Sequence, residues 1–190
     1  MSLARTIPAR VALAAALVAI ALLTVSVAAA EAKKVKLKGD QTALTPDAGT
    51  FGALADAGFE VAPVGSARAS DDGSIAFPIT GGRVNPKSLK GFIAHGGGLS
   101  FTKGDTTVVA RRFVIRTDGK RPYLTARVGG GRLKLLTLGS IERDDRGGKI
   151  VVTAHVALAR QAAKALNRAF DTNVFKRGTS IGSAAVTASA

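Results

Sequence analysis

The chain is patterned mainly in twos. Ile75, Phe77 and Ile79 alternate with Ala76 and Pro78, the signature of a half-buried strand. Pro78 cannot donate to a ladder, which predicts an edge or a bulge there, and Gly81-Gly82 is expected to end the strand. Val35 to Leu37 and Glu60 to Val64 predict two further strands. Residues 89–128 read as a run of hairpins: Leu89 to His95 leads into Gly96-Gly97-Gly98, Leu99-Ser100-Phe101 leads out, and Lys103-Gly104-Asp105 turns into the β-branched Thr106 to Ile115. Asp118-Gly119 is a two-residue turn signal. Leu124, Ala126 and Val128 then alternate with Tyr123, Thr125 and Arg127; Leu133 to Leu138 resumes after three glycines; Arg143 to Gly148 reads as a loop. Ile150, Val152, Ala154 and Val156 share one strand face, and Val174 to Val186 is expected as the last strand.

Two stretches depart from this period. Thr45-Pro46-Asp47 reads as a helix start, with a capping hydroxyl, Pro at the first helical position and an acid in the first turn. Phe51, Leu54 and Ala55 would form its buried face, and Gly58 its left-handed stop. Leu158, Ala162, Ala165, Leu166, Ala169 and Phe170 form an apolar stripe at helical spacing. Arg160, Lys164 and Arg168 lie on the opposite side of that helix, either a solvated face or an anion-binding stripe. Strands at roughly 8–12-residue spacing with glycine turns predict a mainly β fold, an antiparallel sandwich or partly open barrel with two short α-helices.

The N-terminus follows a different rule. Arg5 and Arg10 precede an uncharged run from Val11 to Ala30 that ends in three alanines. This is the pattern of a secretory signal peptide over residues 1–30, leaving a single domain over residues 31–190. The rival reading is an uncleaved anchor, because 20 uncharged residues also span a bilayer. The first reading places the protein outside the cell or at its surface; the second gives its only membrane attachment.

Composition narrows the chemistry. The chain of 190 residues has 27 Lys and Arg against 13 Asp and Glu, a net charge of +14, and no Cys or Trp. Without Cys there is no disulfide, thiolate metal site, Cys nucleophile or lipoprotein anchor. Removing the leader leaves 25 cations and 13 acids, net +12. Such charge suits anionic cell-envelope polymers or lipid headgroups. Nucleic acid is disfavoured, because aromatic platforms among the cations are scarce. His95 and His155 are the only imidazoles and Tyr123 the only phenol, so the ordinary axial ligands for a haem iron reduce to those three. His95 directly precedes three glycines, which let a ligand approach the backbone; its other reading is a hydrogen-bonded residue at a hairpin mouth. His155 lies opposite the apolar face of its strand and reads as solvated, and Tyr123 reads as packing. Asp71-Asp72 and Asp144-Asp145 sit beside turns and read as turn residues. No G-x-S-x-G or H-E-x-x-H occurs, and no nucleophile–base pattern supports an enzyme.

One stretch carries a resemblance. FPITGGRVNPKSLKGFIAHGGGLSF, Phe77 to Phe101, is followed by VVARRFVIRTDGKRPYLTARV and GRLKLLTL. This resembles the HtaA-type haem-transport domain of exported actinobacterial proteins, over residues 39–187. The matching features are Gly91, the strand Phe92 to Ala94, His95, Gly96 to Gly98 and Leu99; the tail Ala165 to Val186 is similar to the end of related domains. The resemblance implies a β-rich fold and non-enzymatic haem binding or uptake at the cell surface. It places His95 in the haem pocket, as iron ligand or its neighbour, with Gly96, Gly97 and Gly98 admitting the ring. Lys103, Arg111 or Arg112 would meet the propionates, and Tyr123 would be a substitute ligand if the fold brings it near His95. The family's tyrosine ligand lies in an N-terminal aromatic segment, where this chain has only Phe51 and Phe59. The alternative of a different class is a structural or adhesive envelope protein on the same scaffold, without cofactor, held by anionic wall polymers.

Overall fold

A computed structural model describes residues 34–36, 38–146 and 149–189; the leader predicted at residues 1–30 lies outside them. Strands β1 (Val35–Lys36) and β2 (Lys38–Pro46) lead into helix α1 (Ala48–Asp56). Then come β3 (Glu60–Val64), β4 (Arg68–Ala69), β5 (Ile75–Val84), β6 (Gly91–His95), β7 (Gly98–Lys103), β8 (Thr106–Arg116), β9 (Tyr123–Val128), β10 (Gly131–Arg146) and β11 (Lys149–Leu158). Helix α2 (Arg160–Ala169) and β12 (Ser180–Ser189) complete the chain.

All pairings are antiparallel, and eight strands close a ring in the order β5-β2-β12-β11-β10-β9-β8-β6, because β6 pairs both β8 and β5. The mainly β prediction holds, and of its two forms the barrel is found. Short β6 decides this: Phe92 to Ala94 bond Val114 to Arg116 on one side, and Gly91 to His95 bond β5 on the other. Closure removes the exposed ladder edges that a sandwich would leave. Strands β1, β3, β4 and β7 are additions to the ring.

Several boundaries differ from the sequence reading. The strand at Lys38–Pro46 was hidden by its polar start; only Thr42 and Leu44 alternate inward. Thr45 and Pro46 therefore end a strand, and Asp47 is the cap of α1, its Oδ1 accepting from the Thr50 N–H at 2.8 Å. Ala55 is exposed. Strand β5 runs on through Gly81-Gly82, with a bulge between Ile79 and Gly81, and is interior to the sheet, so Pro78 sits near a bulge and not on an edge. Arg143 to Arg146 continue β10, paired with β11; charged residues can extend a ladder where both strands face water. The last strand starts at Ser180, because Phe175 is held back by Asn167, whose side chain bonds its N–H and C=O at 3.0 and 2.9 Å.

The core fills the barrel unevenly. Ala126, Ala110, Val156, Ala162 and Leu166 are buried on the α2 side, with Phe59 and Phe175 edge to face at 5.1 Å. Helix α1 has no buried residue.

Candidate functional site

An eight-stranded barrel is just wide enough to be filled by side chains or to hold one small ligand. Here the side chains do not fill it, and a cavity of about 600 Å³ opens inside the ring and beneath α1. Its walls are apolar: Phe77 from β5, Phe113 from β8, Leu124 from β9, Leu136 from β10 and Ala184 from β12, with Phe51 and Leu54 of α1 above. No Lys or Arg lines it among the described residues.

Asp47 and Thr50 line the cavity near α1, and its deeper polar point is built from two strands that flank β5. Thr42 of β2 stands opposite Phe77, and His95 of β6 opposite Ile79, so both side chains face inward with their partners. Thr42 Oγ1 lies 2.7 Å from His95 Nε2, and both residues are about 5% exposed. The other ring nitrogen, Nδ1, is buried without a hydrogen-bond partner. Leaving a buried polar atom unpaired costs on the order of 1–3 kcal/mol, which marks the atom for a role other than packing. Burial lowers the His95 pKa to about 4, and the Phe113 backbone opposes this in part by favouring the charged form. The ring is therefore neutral at physiological pH. Thr42 was absent from the sequence-derived candidates. Its signal was the Thr42, Leu44 alternation beside Gln41 and Ala43.

The glycines after His95 have another function than the one expected. They form no hairpin, since β6 and β7 both lie along β8 and do not pair with each other. At Gly97, φ is +74° and a Cβ would lie 2.3 Å from the Ala67 nitrogen; at Gly98 it would lie 2.1 Å from the Ala110 carbonyl oxygen. A Cβ on Gly96 would meet Ser66 Oγ at 2.5 Å. Gly97 and Gly98 let backbone pack on backbone, Gly96 leaves room for the Ser66 side chain, and none of the three lines the cavity.

Tyr123, Arg111 and Arg112 are likewise outside it. Tyr123 precedes the inward Leu124, so alternation turns it outward, where the Lys134 ammonium sits 4.1 Å from its ring centre. It is not brought to His95. Arg111 and Arg112 are exposed at a bulge of β8, and Lys103 covers the Phe59 ring at 4.7 Å. His155 is exposed on β11, as its strand face predicted.

One contact has the composition of a catalytic triad without its order. Ser180 Oγ lies 3.1 Å from His155 Nε2 and 3.2 Å from Asp47 Oδ2. Ser180 donates to the carboxylate and accepts from the imidazole, whereas a triad needs imidazole between hydroxyl and carboxylate. The contact ties the cap of α1 to β12. It also helps hold the Asp47 carboxyl below its ordinary pKa, after the larger effect of the Thr50 N–H.

No protein-family model matches the sequence, and no curated protein matches it. Solved structures do match. The C-terminal domain of HtaA from Corynebacterium glutamicum aligns at TM-score 0.60 and 18% identity, covering 80% of this chain and 97% of that one. A domain-swapped dimer of a histidine-to-alanine variant of the same domain aligns at 0.54 and 17%, covering 77% and 96%. The haem-binding protein HtaB from the same organism aligns at 0.53 and 13%, covering 82% and 95%. The barrel with its two helices is an HtaA-like domain in fold.

Proposed function

We propose that this protein binds haem in the barrel cavity, as a carrier or uptake domain and not as an enzyme. The observation that supports it most is His95: a neutral, buried imidazole with an unpartnered nitrogen, lining an apolar cavity of about 600 Å³. A metal-binding histidine must be unprotonated, and burial supplies that state. Haem, when bound, contributes a flat apolar ring and an iron that takes an axial nitrogen. The chain's residues supply the rest. Phe77, Phe113 and Leu136 would enclose the ring and exclude water, His95 would offer the nitrogen, and Thr42 would orient the imidazole through Nε2. No cation lines the cavity, so the propionates would have to face its opening. That the solved haem-binding protein HtaB shares the fold adds weight to the reading.

Export rests on the leader pattern at residues 1–30, and a secreted or cell-surface location would follow from it. Among the described residues no helix is long and apolar enough to cross a membrane.

Haemin titration of the purified protein, followed in the Soret region, tests the proposal. The expected result is saturable binding at one equivalent, weakened at least tenfold in His95→Ala, while His155→Ala binds as the parent does. Absence of a Soret shift in the parent protein would overturn it.

A further inference from the structure

The outer surface of the barrel carries a feature that haem binding does not use. Between Thr106 and Ile141 the chain has eight cations and one acid, Asp118, so these 36 residues hold half of the net charge of +14. They fold into β8, β9 and the first part of β10; the rest of β10, residues 142–146, adds three acids and two cations. The pairing register then sets Arg111 of β8 directly opposite Arg127 of β9, and Arg127 directly opposite Arg132 of β10. All three are exposed. Strands lie about 4.8 Å apart, so the row is about 10 Å long.

Like charges directly opposite one another destabilise a sheet, and no acid relieves this row: none of the three arginines is in an ion pair among the described residues. The one acid of the region, Asp118, lies with Arg116 at 3.6 Å. The row is also organised. Arg132 Nη1 donates to Thr125 Oγ1 at 2.9 Å and to the Arg112 carbonyl at 3.3 Å. Arg112 itself stands at the bulge with φ +53°, a conformation that glycine adopts freely and arginine does not. Arg112 is exposed and adjoins Arg111 in the chain.

We infer that the Arg111–Arg127–Arg132 row, with Arg112, binds a linear, base-free polyanion whose phosphate groups repeat along the chain. Guanidinium forks suit phosphate, whose several acceptor oxygens bridge two neighbouring forks. Nucleic acid fits less well, because the single aromatic on this wall, Tyr123, is already covered by Lys134. An anionic membrane fits less well too, because the exposed large apolar side chains, Phe92, Ile141 and Val174, lie outside the row.

The test is binding of inorganic polyphosphate and of a glycerol-phosphate polymer to the purified protein across a salt series. Duplex DNA and phosphatidylglycerol vesicles serve as comparison arms. The triple variant Arg111→Gln, Arg127→Gln, Arg132→Gln should lose at least tenfold in affinity for the phosphate polymers, with a salt slope reduced by about 3, one per phosphate contact. The control Arg160→Gln, Lys164→Gln, Arg168→Gln removes the same charge from α2 and should change affinity less than threefold. The row variant should keep its thermal midpoint, since the relief of like-charge repulsion offsets the loss of the two exposed Arg132 hydrogen bonds. Whichever polymer binds tighter identifies the source of the phosphates. Equal loss in both triples would reduce the effect to net charge and overturn the inference, as would tighter binding of DNA or vesicles, or no binding by the parent protein. None of these outcomes depends on haem.

Discussion

The two sides of the cavity are built on opposite principles. On the α2 side, Ala162, Ala163 and Leu166 are buried, and Asn167 fastens the following segment through Phe175. On the α1 side the helix buries nothing, yet Phe51, Leu54 and Ala57 line the cavity, and the strand before α1 supplies Thr42 to His95. Both helices reach the cavity, α2 through Leu166 and α1 through Phe51 and Leu54, but only α2 also has buried residues. A small core is stabilised by whatever is packed without voids, so the first side should hold the fold and the second should hold the ligand.

Removing packed atoms from the α2 side should do the most damage. Leu166→Ala is expected to cost about 2–5 kcal/mol, measured by denaturant unfolding. A cost below that of Leu54→Ala would break the comparison.

The next effect is acid sensitivity from the polar point opposite. The His95 pKa is lowered to about 4 from an ordinary 6.5, so between these values the unfolded chain binds a proton that the folded chain does not. Stability is therefore complete above pH 6.5 and falls as the pH drops toward 4, by about 3 kcal/mol in all. Thermal melts across this window should show the drop, and His95→Leu should flatten it. His155→Gln should leave it in place. A parent protein whose stability does not change between pH 7 and 4 would contradict the buried neutral imidazole.

Smaller effects are expected over α1. Leu54→Ala should change stability by less than about 1 kcal/mol, as half-exposed positions do, while weakening haemin binding severalfold. Equal and large effects on stability would make α1 part of the core after all. Asp47→Ala should fray α1 without moving the global midpoint much, because it removes the bond to the Thr50 N–H and the tie to Ser180. Hydrogen exchange at Thr50 and Phe51 reads this directly.

Much of the fold was legible because it is local. Period-two alternation marked β5, β9 and β11, and the stripe from Leu158 to Phe170 marked α2. Each depends on which face of one segment meets the core. Strand β2 was not legible, since its first residues are charged or small, and its inward pair, Thr42 and Leu44, includes a polar residue. His95 lines the cavity, but not for the reason that its neighbours in the sequence suggest. Its glycines looked like room for a ligand, whereas their missing Cβ atoms are replaced by the backbone of Ala67 and Ala110.

By itself the sequence determined the mainly β class, the absence of thiol chemistry, the strong positive charge and the short list of possible iron donors. These follow from residue types and local periodicity alone. Tertiary structure decided that the sheet closes, that Thr42 meets His95 over an apolar cavity, that Tyr123 faces away from it, and that three arginines of successive strands stand side by side. Those outcomes depend on strand register, and register is set by the sum of pairings around the whole barrel, which no single segment encodes.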